Sequence, residues 1–315
     1  MTDKSFLGFD VSKDDIAAAF HGAKKAERIP NTPEAIKAWL ASQNLTGLKL
    51  AAFEPTGGYE WELRRALRDA GLPFAKVHPN EVGAHRTSLG IKAKTDDLDA
   101  LVIADFAAGK LARRGLGPMV EGNDMLRELT VRRRQLADML HAEKCRLKMA
   151  KGATATASIE TIAAILKAGI TEIEKEIAGI IASDEKLAVM SKNLRSLKGV
   201  GPITVYTMLA ELPELGCFDN KDIASLVGLA PKTRKSGRMT FRARIGHGRP
   251  GVRKVLFNAA RCAIKHNPVM REFYDRLVTK NKCPGKVALI AVMRKMLVIL
   301  NAIAREAKPW KHKIA

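Results

Sequence analysis

SFLGFDVSKDDIAAAF, residues 5–20, consists of two apolar runs separated by the polar stretch SKDD. Runs of this length bounded by turn-forming residues read as β-strands, and the gap is short enough for the two to pair as a hairpin. Asp10 stands at the end of the first run. Outward from there the chain alternates. TPEAIKAWLASQ (32–43) reads as a capped helix, LKLAAFE (48–54) as a buried strand, YEWELRRALRDAG (59–71) as a helix closed by Gly71, and PFAKVHP (73–79) as another strand. A further helix is expected from about residue 96 to residue 108. Strands reached through helical crossovers define an α/β domain, expected over residues 1–115.

Two acids end strands in this domain, Asp10 in GFDVSKDD and Glu54 in AAFEPTGGYE. Strand-end carboxylates facing a cleft suit a hard cation such as Mg²⁺, which takes a few carboxylate oxygens and completes its shell with phosphate oxygens and water. A single strand-end Asp serves equally well as a turn or cap residue. KAKTDDLDALVIADF (92–106) adds Asp96, Asp97 and Asp99 at a helix start. Residues three apart share a helix face, so Asp96 and Asp99 can converge on one metal while Asp97 points elsewhere. The alternative is that all three simply favour the positive end of the helix dipole.

Beyond residue 115 the composition changes. Across 315 residues, 54 Lys and Arg stand against 33 Asp and Glu, a formal net charge of +21. Residues 1–115 hold 17 of the basic and 15 of the acidic side chains, leaving 37 and 18 for residues 116–315. Such an imbalance points to a polyanion, most simply nucleic acid, although a merely basic or ribosome-associated protein shares the composition. Leu126, Leu129, Leu136, Leu140 and Leu147 keep heptad spacing, as do Leu166, Ile170, Ile173, Ile177, Ile180 and Leu187 after the small, polar KGATATAS. Two long helices over residues 116–190 would form an antiparallel coiled-coil hairpin or an oligomer seam, or else pack as ordinary amphipathic helices.

LRSLKGVGPITVYTMLAEL (194–212) opens a mainly helical region, residues 191–315, with a helix-hairpin-helix pattern. Its turn, Lys198-Gly199-Val200-Gly201 before Pro202, can present backbone amides to a phosphate. PKTRKSGRMTFRARIGHGRPG (231–251) reads as a basic loop: Lys232, Arg234, Lys235, Arg238, Arg242, Arg244 and Arg249 occur with no acid, and Arg253 and Lys254 follow. These cations should contact phosphates with little base specificity. Four scattered cysteines, Cys145, Cys217, Cys262 and Cys283, form no C-x-x-C pair and are expected as buried apolar groups in a reducing compartment. The N-terminus shows no signal segment, and the late apolar run 287–300 is broken by Arg294 and Lys295, so a soluble cytoplasmic protein without a membrane partner is expected.

GFDVSKD, FEPTGGYE, KTDDLDA, KGVGP, LVGLAP and the SG of the basic segment, in this order and spacing, resemble the DEDD-type insertion-sequence transposases, a group that includes the pilin-gene invertases. The resemblance spans essentially the whole chain. It implies a ribonuclease H-like (RuvC-like) first domain in which Asp10, Glu54, Asp96 and Asp99 bind Mg²⁺, or Mn²⁺ in its place. It implies further that a serine of the C-terminal domain, Ser236 by position, attacks DNA and becomes covalently linked to it. Members of the group are guided by a structured non-coding bridge RNA that pairs with donor and target DNA, and they act as tetramers. An aromatic residue often precedes the serine's neighbourhood in relatives; KTRKSG lacks it, which keeps Thr233 and Thr240 as other hydroxyls.

A serine hydroxyl needs a base, a metal or strong electrostatic help to act as a nucleophile, and His247, eleven residues on, has no obvious pairing spacing with Ser236. Bound metal could supply that help. A phosphoserine ester keeps the energy of the cut phosphodiester, which fits the lack of a Walker-type phosphate loop. With three Trp and three Tyr in the chain, stacking on single strands should not dominate recognition, and delegation of sequence choice to a guide RNA fits. The partners that the resemblance implies are double-stranded DNA, a guide RNA and further copies of the chain, as a dimer to tetramer. The competing readings are a Holliday-junction-type metal nuclease that uses water, and a non-catalytic nucleic-acid-binding scaffold.

Overall fold

The computed structural model describes residues 3–91, 95–111, 122–236 and 239–311, and the backbone alone for residues 3, 110–111, 232–236 and 239–243. The chain divides into two compact units, Met1–Met119 and Val120–Ala315.

In the first unit the expected hairpin forms from β1 (Asp3–Val11) and β2 (Asp15–His21), which pair antiparallel from Val11 opposite Ile16. β3 (Glu27–Pro30) extends it at one edge. After α1 (Pro33–Ser42), capped by the Thr32 hydroxyl, β4 (Leu50–Phe53) pairs parallel to β1; after α2 (Trp61–Asp69), β5 (Phe74–Lys76) pairs parallel to β4. α3 (Pro79–Ser88) and α4 (Asp96–Phe106) follow, and a single π turn, Ala107–Leu111, continues α4. The sheet order is β3-β2-β1-β4-β5.

Alternation along the strands builds a core on each side of the sheet, because successive side chains point to opposite faces. Leu7, Phe9, Ala51 and Phe53 pack with Ile36 and Leu40 of α1 and Leu63 and Leu67 of α2. Phe6, Leu50 and Ala52 pack with Val82 of α3 and Val102, Ile103 and Phe106 of α4. Each large apolar side chain so buried contributes about 1.5–3 kcal/mol, and that selects this register over a one-residue slip, which would turn every side chain to the other face. At Gly8 the sheet and α4 meet backbone to backbone, since an added Cβ would collide with Ala100 O and Ala104 N.

The second unit is mainly helical. α5 (Asp124–Leu147) and α6 (Ala153–Ser183) run antiparallel: Arg133 pairs with Glu174, Leu136 lies against Gly169, and Leu126 packs with Ile177 and Ile181. The polar break is shorter than expected, because helix resumes at Ala153 and most of KGATATAS is helical. Ala and Thr there keep enough helix propensity once packing holds the turn. α7 (Glu185–Arg195), capped by Asp184, and α8 (Pro202–Glu211) form the hairpin around Gly199, whose φ is 106° and whose Cβ would strike Ala263. α9 (Asn220–Val227), the strands β6 (Lys232–Ser236) and β7 (Met239–Arg244), α10 (Pro250–His266), α11 (Pro268–Thr279) and α12 (Gly285–Glu306) complete the unit. By length and composition α6 and α12 could each span a membrane. The apolar face of α12, however, is core: Val292, Met296, Leu297 and Leu300 are fully buried with Leu194, Met208 and Leu256.

Two expectations are corrected. The basic segment is a β-hairpin rather than a loop, with Ser236 paired to Met239. The cysteines are not buried: Cys145, Cys217 and Cys262 are exposed and Cys283 is half-buried, because each falls on the outward side of its segment.

Candidate functional site

The first candidate centre lies at the carboxyl ends of β1 and β4. Their parallel register sets Phe6 opposite Leu50 and Gly8 opposite Ala52. Carried one step further along the same face, it brings Asp10 beside Glu54, on strands about 4.8 Å apart. This is the α4 face. Phe6 packs toward the end of α4 (Val102, Ile103, Phe106), Gly8 meets Ala100 and Ala104, and Ala17, the partner of Asp10 on β2, packs on Ala100. Strand and helix therefore run in opposite senses, and Asp10 is directed to the first turn of α4, where Asp96 and Asp99 stand. Both Asp10 and Glu54 are half-buried.

The acids of α4 have cationic partners. Arg28, at the edge strand β3, contacts Asp15 at 2.9 Å, Asp97 at 3.1 Å and Asp96 at 3.4 Å. The Ser12 hydroxyl, and then Arg28, hold the Asp15 carboxyl below the usual carboxylate range. Asp99 is buried and pairs with Arg86 of α3, whose buried Nε has no hydrogen-bond partner among the described residues. The neighbour of Arg86, His85, bonds Asp105 at 2.7 Å, and His21 of β2 reaches the same carboxylate at 3.2 Å, so α3 is tied to α4 at two points. As the side chains stand, no group of three or more His, Cys, Asp or Glu among the described residues could hold a metal ion. Asp10 and Glu54 have the oxygen chemistry a hard divalent cation takes. Asp96 and Asp99 have it too, and Arg28 and Arg86 respectively pair with them.

The loop that follows Glu54 is organised by Glu60. Its carboxylate accepts from Gly58 N at 2.9 Å and Thr56 N at 3.2 Å, and pairs with Lys76 of β5 at 2.7 Å, while the Thr56 hydroxyl donates to Glu54 O. Burial pushes the Glu60 carboxyl up, but the Lys76 ammonium and the backbone amides outweigh it and hold the pKa at about 2. Arg28, Arg86 and Glu60 were not singled out in the sequence. The FEPTGGYE motif contains Glu60, but only its two amide bonds reveal what it does.

The second centre is the basic hairpin. Ser236 ends β6; Gly237 and Arg238 lie outside the described residues, and the side chains of Lys232, Thr233, Arg234, Lys235, Ser236, Thr240 and Arg242 are not described. The base of the hairpin is locked. Gly228, the left-handed cap of α9, and Gly248 lie so close that a Cβ on either would strike the other's strand of chain, at His247 O and Leu226 O respectively. Arg253 donates to Val227 O and His247 O across the same closure, and Arg249 forms a bidentate pair with Glu214 at 2.5 Å while also donating to Glu211 O. Lys254 pairs with Asp138 at 2.6 Å. Arg249 and Arg253 thus hold the frame of the hairpin, while Lys254 ties α10 to α5. Lys198 and Arg244 are exposed, and Gly199 and Gly201 shape the α7–α8 turn, where Gly201 precedes α8 without a side-chain cap.

Residues 7–150 match a transposase family of the DEDD type represented by IS110, and residues 191–275 match the family described as transposase IS116/IS110/IS902. Pilin gene-inverting proteins of Moraxella lacunata and Moraxella bovis are each 26% identical to the chain over 322 residues, covering 99% of both partners. An α/β unit with acids at its strand ends, a helical unit and these matches define a DNA transposase or recombinase. Within that class the chain belongs to the DEDD-type IS110 transposases.

Proposed function

We propose that the chain cuts and rejoins DNA strands through a covalent phosphoserine-DNA intermediate formed by Ser236. The observation that carries this reading is the parallel β1–β4 register, Phe9 opposite Phe53, whose continuation by one residue would set Asp10 beside Glu54. The strand order, with helices on both faces, supports a ribonuclease H-like assignment for residues 1–115, with residues 116–190 serving assembly and residues 191–315 carrying the serine.

Ser236 Oγ loses its proton and bonds to phosphorus, the bond from phosphorus to the leaving strand's oxygen breaks, and that oxygen takes a proton. Reversal by the hydroxyl of a new strand reseals DNA and restores the serine, so no outside energy source is needed. A divalent cation, Mg²⁺ or Mn²⁺, would be held by Asp10 and Glu54, joined by Asp96 and Asp99 once Arg28 and Arg86 release them; when bound it would lower the pKa of the attacking hydroxyl and stabilise the charged phosphorus centre. The clasp of Gly228, Gly248 and Arg253 holds the base of the serine hairpin, while Lys232, Arg234, Lys235, Arg238, Arg242 and Arg244 hold phosphates and Lys198, Gly199 and Gly201 a neighbouring one. Contacts of that kind position DNA without reading it, which supports delegation of sequence choice to a guide RNA.

The test is the protein–DNA adduct that survives denaturation when the chain is incubated with donor DNA, guide RNA and Mg²⁺. Ser236→Ala should abolish the adduct and keep DNA binding; an undiminished adduct in that variant rules Ser236 out. Cut strands with no adduct in the wild type would identify a water-using nuclease instead.

A further inference from the structure

An open groove of about 590 Å³ lies between α6, α7 and α8. Ala178 and Ala182 keep its α6 wall low, Lys192 and Arg195 of α7 stand on one side, and Pro202 and Tyr206 of α8 close the other. No acid lines it. In the same unit Arg133, Arg134, Arg249 and Lys254 each pair with a carboxylate. Lys192 and Arg195 are exposed, with no hydrogen bond or ion pair to any described residue.

We propose that this groove docks the phosphate backbone of duplex DNA beside the reacting strand. Residues three apart on a helix share a face and are offset by about 4.5 Å along it, so Lys192 and Arg195 can meet neighbouring phosphates of one strand, which rise about 3.4 Å each. Low alanine walls let a backbone approach both cations, and α8 begins at the groove's rim with no side-chain cap on its amides. Duplex DNA is favoured over unpaired nucleic acid because Tyr206 is the one aromatic ring among the described residues of the lining, too little for a stacking platform. The inference rests on the strand-transfer reading for its substrate, but not on Ser236.

The experiment measures binding of a labelled random-sequence duplex of about 30 bp over roughly 50–200 mM salt by fluorescence anisotropy. Lys192→Ala with Arg195→Ala should reduce the slope of log K against log salt by about 2 and weaken binding roughly tenfold at the low-salt end. Lys167→Ala, an exposed cation of α6 outside the groove lining, should leave both unchanged. Since neither groove cation bonds a described residue, the variant's melting curve should match the wild type; if it does not, Lys192→Gln with Arg195→Gln is read instead. An unchanged slope in a folded variant overturns the proposal, as does a loss confined to a structured RNA of the same length. The adduct assay is scored separately. A wild type that forms no adduct but shows the slope change refutes the serine chemistry and leaves the groove, and the converse refutes the groove alone.

Discussion

Glu60 and Arg86 act on the acidic centre without being acids of it. Glu60 is 8% exposed and holds the Glu54 loop through two amides and Lys76. Its folded pKa of about 2 lies below the unfolded value near 4.5, so its stabilisation is full above pH 4.5 and lost as pH falls toward 2. Urea unfolding between pH 5 and 2 should therefore show wild type losing on the order of 2 kcal/mol more than Glu60→Gln. Equal losses would mean the carboxylate is not held down. Arg86 pairs with buried Asp99, and removing one partner of such a pair costs about 3–5 kcal/mol because the other charge is left uncompensated. Arg86→Ala should melt well below wild type in EDTA and recover part of that loss in Mg²⁺, as a cation takes the place of the guanidinium beside Asp99. A variant indifferent to Mg²⁺ would remove Asp99 from the metal reading.

Among elements, the close seat of α4 on β1 sets the geometry of the acids. Gly8→Ala forces a Cβ into Ala100 O and Ala104 N, backbone atoms that cannot swing aside. The expected cost is about 3 kcal/mol, with a lowered melting temperature and loss of strand cleavage, whereas Ala19→Gly beside it should keep activity. At the serine hairpin, Gly228→Ala combines a φ of 80° with a collision at His247 O. Limited trypsin digestion should cut residues 232–244 of that variant faster than wild type, and equal rates would mean the clasp does not restrain the hairpin. These elements also mark what the sequence could carry. The continuous apolar runs of β1 and β4 marked both strands, and with them the strand-end positions of Asp10 and Glu54, because burial on both faces leaves no polar residue inside the run. β3 and α3 bury only Ile29 and Val82 respectively, too few to make a pattern, so both were missed. The arginines that neutralise α4 were missed with them, since both ride on those two elements. The hairpin of residues 232–244 was hidden by its charge.

At the scale of the whole molecule, the chain keeps its excess of positive charge after residue 115 and leaves apolar surface on the same long helices. Met149 is 79% exposed, Ile165 66% and Ile162 44%, all toward the turn that joins α5 to α6. Leu166, directly after Ile165 in sequence, is buried, so Ile162 and Ile165 form an outward apolar strip rather than a misplaced core. A chain with so large a net charge repels its own copies, and a seam between copies must therefore be made where apolar contact outweighs that repulsion. The strip offers apolar surface of the kind such a seam needs. Wild type should run as a dimer to tetramer by light scattering, and Ile162→Asp with Ile165→Asp should run as a monomer with an unchanged melting temperature, because neither side chain supports the fold. The same variant should still bind a single duplex but lose strand exchange, which brings two DNA sites together. A wild type that is monomeric with and without nucleic acid, or a variant that assembles like wild type, would show that assembly does not use this strip.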